Sequence, residues 1–181
     1  MEWCINMTDK LYMMGEQKQK ALGYIKAKHP VLFHGAPSTG KTQLALEIAK
    51  EQGWKAIRIN ASDSRTKETL EQYYRLMRTK AVVRKFGKKR VGKLLFLIDE
   101  VDSFHDWKFL QVMLMNTQHP TILTCNDFWR IPKWVFKNPK TKRMIIRTMK
   151  FYEPTQDRVV AILKEKGLKG NFSGITKDIR V

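Results

Sequence analysis

The chain has 181 residues, enough for one well-buried domain with a small appendage and too few for two full ones. Its 35 Lys and Arg against 17 Asp and Glu give a formal charge of +18, which points to a polyanionic partner, nucleic acid first, against the plainer alternative of a generally basic solvated surface. No apolar run has the length of a membrane span, the first residues lack a basic segment followed by an apolar core, and two distant cysteines, Cys4 and Cys125, argue against a disulfide framework or a Cys-ligated metal, so an intracellular protein is expected.

In chain order, Gln17 to Lys28 has the spacing of a helix, with Ala21, Leu22, Tyr24 and Ile25 on its apolar face. His29-Pro30 breaks it, and Val31 to His34 reads as a short buried strand. Directly after comes Gly35-Ala36-Pro37-Ser38-Thr39-Gly40-Lys41-Thr42, which fits G-x-x-x-x-G-K-[ST]. A triphosphate needs many donors without side-chain bulk. Backbone N–H groups supply them, Gly35 and Gly40 permit the tight loop, Lys41 reaches the β/γ-phosphates, and Thr42 offers a hydroxyl to Mg²⁺ at a helix N-terminus. The helix it requires follows from Lys41 and stops at Gln52-Gly53.

Lys55 to Asn60 alternates like a strand, and Asn60-Ala61-Ser62-Asp63-Ser64-Arg65 supplies capping chemistry for a helix from about Thr66 to Val83. Between Arg78 and Lys93 lie eight cations and no acid, either a solvated loop or a phosphate-contacting one. Leu94 to Ile98 is a continuous apolar run, as expected of a parallel strand buried on both faces. It ends in Asp99-Glu100-Val101-Asp102. Asp99 can hold the Mg²⁺ that Thr42 also binds, and Glu100 can polarise the attacking water.

A helix is expected from Asp106 to Asn116 and a strand from Thr121 to Asn126, whose polar end, Thr124 and Asn126, would share the sheet edge with Thr42 and Asp99. Trp129 to Lys150 is basic and aromatic. Its Trp and Phe residues are expected mainly in the core, with base stacking as the alternative. A last helix is expected over Gln156 to Lys166, before a short tail ending Asp178-Ile179-Arg180-Val181.

With these residues in place, the chain resembles the AAA+ ATPases, and among them the clamp-loader (replication factor C) group, above all its large subunit. Gly35 to Thr42 resembles the Walker A motif, Leu94 to Asp102 the Walker B motif, and Asn60 to Arg65 the Asn-Ala-Ser-Asp-x-Arg of clamp loaders. The resemblance implies an α/β P-loop NTPase fold, a central parallel sheet flanked by helices and a short helical lid, with the ATPase core over 1–152 and the lid over 153–181. It implies ATP and Mg²⁺ as cofactors. It further implies that Asn126, in Thr124-Cys125-Asn126-Asp127, is the sensor 1 residue, that Arg180 is sensor 2, and that Met14 and Gly15 flank the adenine.

The implied activity is Mg²⁺-dependent ATP hydrolysis coupled to DNA in replication, with other AAA+ subunits in a homo- or hetero-oligomer and a sliding clamp as partners. Arg65, Lys88, Lys89 and Arg90 are the candidate DNA contacts. The expected site is cytoplasmic, nuclear or within a virus-infected cell. The family's Glu-Lys-Tyr-Arg-Pro, its Ser-Arg-Cys after sensor 1 and its collar are missing from the sequence, leaving Arg143 and Arg147 as weak arginine-finger candidates. The alternatives are a helicase loader, a viral DNA-processing ATPase, or a nucleotide-gated DNA-binding module that hydrolyses poorly.

Overall fold

In a computed structural model, which describes residues 15–61, 67–79, 93–153 and 160, the described residues form five strands and four α-helices. Helix α1 (Gly15–Lys26) precedes β1 (Val31–Gly35), and α2 (Lys41–Glu51) leads to β2 (Lys55–Asn60). Then follow α3 (Lys67–Arg78), β3 (Leu94–Asp99), α4 (Trp107–Asn116), β4 (Thr121–Cys125) and β5 (Arg147–Phe151). The strands run parallel in the order β2-β3-β4-β1-β5.

Both faces of this sheet are covered, which is why β3 can be apolar at every position before Asp99. Leu94, Phe96 and Ile98 pack with Leu110, Met113 and Leu114 of α4 and Met77 of α3. Leu95 and Leu97 point the other way, against Ala21 and Ile25 of α1 and Leu44, Ala45 and Ile48 of α2. The alternation follows from the two-residue period of a strand. It places the end of β3 between two packed layers, so that Asp99 is buried at the rim of the core.

Several local signals end elements earlier or later than expected. Helix α1 stops at Lys26 rather than Lys28 because Lys28 turns into the left-handed region at φ 60 and donates its N–H to the Ile25 carbonyl. Helix α3 stops at Arg78 rather than Val83. The Thr79 hydroxyl bonds the Leu76 carbonyl, and the Gln118 N–H takes that of Met77, so the helical ladder has lost its next acceptors. Asp106 lies outside α4 as its cap, accepting the Phe109 N–H at 2.9 Å.

The largest departure lies between Trp129 and Lys150. The sequence suggested no strand there, yet Arg147–Phe151 pairs with β1 as an edge strand that buries only Met149 and Phe151. The expectation that the tryptophans lie in the core is overturned as well: Phe136 is buried, but Trp134 is exposed and Trp129 is 80% exposed. Two short 3-10 turns, Phe128–Arg130 and Lys133–Phe136, are too short to cover large rings on every side. The expected helix over Gln156 to Lys166 lies outside the described residues apart from one helical position at 160. Among the described residues, no helix is long and apolar enough to cross a membrane.

Candidate nucleotide-binding site

The loop between β1 and α2 is shaped by three positive φ angles. Gly35 has φ 147, and a Cβ there would collide with the Phe151 carbonyl oxygen. This glycine is therefore required by the approach of β5 to β1, a demand the sequence motif does not reveal. Ser38 (φ 61) and Gly40 (φ 87) are left-handed. Alternation into that region turns successive backbone N–H groups toward one concavity, which suits an anion. Gly40 stands at the helix start with no side-chain cap, leaving the first-turn donors of α2 and its positive dipole end for a ligand. The Thr39 hydroxyl closes the loop on the Ala36 carbonyl at 2.8 Å, between Pro37 and Ser38 on one side and Gly40 on the other.

Lys41 is buried, and its ammonium donates to the carbonyls of Gly35 at 2.8 Å and Ala36 at 2.7 Å and to Asn126 Oδ1 at 3.0 Å. Burial pushes it below the ordinary lysine pKa, opposed by Cys125, Asp102 and Asp99. The next residue makes the second link: the Thr42 hydroxyl donates to Asp99 Oδ1 at 2.9 Å. Sheet order makes β4 the bridge, since it lies between β1 and β3. From it, the Thr124 hydroxyl donates to Asp99 Oδ1 and accepts the Glu100 N–H at 3.1 Å. Glu100 itself is exposed, with φ 54, where the chain leaves β3 for a 3-10 turn at Val101–Ser103.

Asp102 holds the far side. Its Oδ2 accepts the N–H groups of Asn126 at 3.3 Å and Asp127 at 3.0 Å, fixing the turn that presents Asn126 to Lys41. Lys41, Thr42, Asp99, Thr124 and Asn126 thus meet at the C-terminal edge of the sheet, where open α/β sheets bind ligands. Hydroxyl and carboxylate oxygens in contact suit a hard cation such as Mg²⁺, which takes one or two protein ligands and completes its shell with phosphates and water. His34, beside the loop, packs against Phe128 with ring centroids 4.5 Å apart and the planes tilted by 32°, and burial, then Lys150 and Lys41, pushes its pKa down.

Other expected residues are placed elsewhere. Gly15 opens α1, which is tied to α2 by Lys18 with Glu51 at 2.6 Å and Glu47 at 3.4 Å. Arg143 is exposed, and Arg147 begins β5 opposite Val31, at the end of the sheet away from the loop. Met14, Arg180, Arg65, Lys88, Lys89 and Arg90 lie outside the described residues. Two participants were missed in the sequence. One is Asp102 as the acceptor for the β4 turn. The other is Arg58 of β2, which gives Asp99 Oδ2 two bonds, Nε at 3.0 Å and Nη2 at 2.6 Å. A cation in mid-strand was the available signal for Arg58, but the register that sets Asn60 opposite Asp99 was not legible.

The replication factor C large subunit of Archaeoglobus fulgidus is 29% identical over 160 residues, 82% of this chain and 32% of that protein. The replication factor C large subunit of Thermococcus kodakarensis is 30% identical over 151 residues, 78% of this chain and 27% of the relative. The chain thus spans about a third or less of the length of these curated relatives. Among solved structures, a single-substitution variant of Thermotoga maritima RuvB shares the fold, with a TM-score of 0.53 at 16% identity over 84% of this chain and 49% of that one. Residues 31–148, from the start of β1 into β5, match the model of the ATPase family associated with various cellular activities, and the chain belongs to this AAA family.

Proposed function

We propose that the chain binds ATP with Mg²⁺ at the loop between β1 and α2, hydrolyses it, and couples hydrolysis to DNA in replication as part of a clamp-loader-like assembly. The observation that carries the reading is the pair of links Lys41–Asn126 and Thr42–Asp99, which join the loop to the ends of β4 and β3 at one point. In this reading Lys41 exchanges its two carbonyl partners for phosphate oxygens, alongside the loop amides from Gly35 to Lys41. Thr42 and Asp99 hold the metal, and Thr124 orients Asp99. Bound Mg²⁺ supplies neutralisation of phosphate charge. Glu100 orients the water and takes its proton, while Asn126 and Arg180 approach the γ-phosphate and Met14 and Gly15 the adenine.

The DNA part is supported by the names of the relatives, by the charge of +18, and by exposed cations on 130–150, including Arg130, Lys133, Lys137 and Lys140. Arg65, Lys88, Lys89 and Arg90 remain the contacts proposed beyond the described residues. A sliding clamp and other AAA+ subunits are the proposed protein partners. The test is steady-state ATP hydrolysis with Mg²⁺ or EDTA, with and without primed DNA. Metal-dependent turnover raised by DNA is expected, and a chain that binds no nucleotide would overturn the reading.

A further inference from the structure

Both carboxylate oxygens of Asp99 are partnered. Oδ1 accepts the hydroxyls of Thr42 and Thr124, and Oδ2 accepts both Arg58 N–H groups. The two members of the Arg58–Asp99 pair differ in one respect: the carboxylate is buried, while 57% of the Arg58 side chain is in solvent. A guanidinium offering two N–H groups is a strong partner for a carboxylate. Being half exposed, Arg58 can leave without entering an apolar environment. Asp99, locked at the end of β3, cannot follow it.

We propose that Arg58 is the resident counter-cation of Asp99 and competes with the divalent cation for it, so that Arg58 sets the Mg²⁺ concentration at which the site fills. This rests on Thr42 and Asp99 being metal ligands, as read above. A cation that shares Asp99 with Arg58 meets its positive charge at about 6 Å, and even with the screening of bulk water that opposition is worth about tenfold in affinity. Arg58 is thus a positioning residue, acting through Asp99. A purely structural Arg58, pinning β2 to β3, would affect folding and leave metal affinity alone.

The experiment measures Mn²⁺ binding by electron paramagnetic resonance on the full chain saturated with ADP, comparing wild type, Arg58→Gln and Arg58→Lys. Arg58→Gln is expected to bind Mn²⁺ about tenfold more tightly, and Arg58→Lys, which keeps the charge, within about threefold of wild type. Equal or weaker binding by Arg58→Gln overturns the role of Arg58. Absence of Mn²⁺ binding to the wild type overturns the metal-ligand reading itself, a distinguishable failure. A measurement on the wild type alone covers a variant that does not fold. The resonance of the Arg58 Nε–H, bonded to Asp99 Oδ2 in the metal-free protein, is expected to shift or exchange away on adding Mg²⁺ and ADP, and an unchanged resonance at saturation overturns the proposal.

Discussion

The C-terminal edge of the sheet and the flank from Trp129 to Lys150 are both rich in polar side chains, but they use them in opposite ways. At the edge, Lys41 bonds Asn126, and Asp99 bonds Thr42, Arg58 and Thr124, links that join the start of α2 to β2, β3 and β4. On the flank, the cations are exposed, and the chain is held by backbone and amide bonds instead: Gln111 Nε2 donates to the Trp134 and Lys137 carbonyls, and Asn138 Oδ1 accepts the Lys140 and Thr141 N–H groups. A locked constellation suits one geometry, such as that of a phosphate chain with its metal. Exposed cations on a firm backbone suit a polyanion whose phosphates need no fixed register.

The largest effect should come from removing the centre of the lock. Lys41→Ala deletes a buried cation bonded to two carbonyls, the Thr39 hydroxyl and Asn126 and is expected to weaken ATP binding by about 100-fold or more, since charge-assisted bonds contribute about 1.5–3 kcal/mol each. Isothermal calorimetry reads it. Wild-type affinity in this variant would break the contrast between edge and flank. Next is Gly35→Ala, where φ 147 and the close approach of the Phe151 carbonyl oppose any side chain. We expect a loss of about 2–4 kcal/mol in denaturant unfolding. An unchanged midpoint would show that β5 can move away from β1.

On the flank, the joint substitution of Lys133→Ala and Lys140→Ala should leave ATP affinity within about twofold. It should also make the dependence of log K for DNA on log salt shallower by about two, one for each lost phosphate contact. An unchanged slope would place DNA elsewhere. The smallest effect concerns Cys125, whose thiol burial pushes up to about 12 from 9.0, with Asp102 and Asp127 adding and Lys41 opposing. Its alkylation by iodoacetamide at pH 8 should be about 10³-fold slower in the folded than in the unfolded chain. A neutral thiol favours the fold, so its contribution is complete below pH 9 and declines toward pH 12. A flat stability profile there, or one unaffected by Cys125→Ala, would contradict this.

How much was legible in the sequence follows the same division. The loop, the apolar β3 and the polar end of β4 were readable because each carries its signal locally, in glycines, an unbroken apolar run and side chains whose chemistry is limited. Arg58 and Asp102 were not, because their partners are set by register and sheet order, with Asn60 opposite Asp99 and β4 between β1 and β3. Strand β5 was obscured by its edge position, where three of five residues are exposed and read as part of a basic loop. The exposure of Trp129 was missed for a related reason: composition favours burial of tryptophan, while only the length of the 3-10 turn decides whether there is anything to bury it.

The central claim is that Lys41 and its neighbours hold nucleotide while Glu100, exposed at φ 54 beyond the end of β3, serves the water. The direct measurement pairs equilibrium ATP affinity with single-turnover hydrolysis in Glu100→Gln. The account predicts affinity within about threefold of wild type and hydrolysis slowed by about 10²–10⁴. Loss of binding comparable to that of Lys41→Ala, or hydrolysis at the wild-type rate, would contradict it.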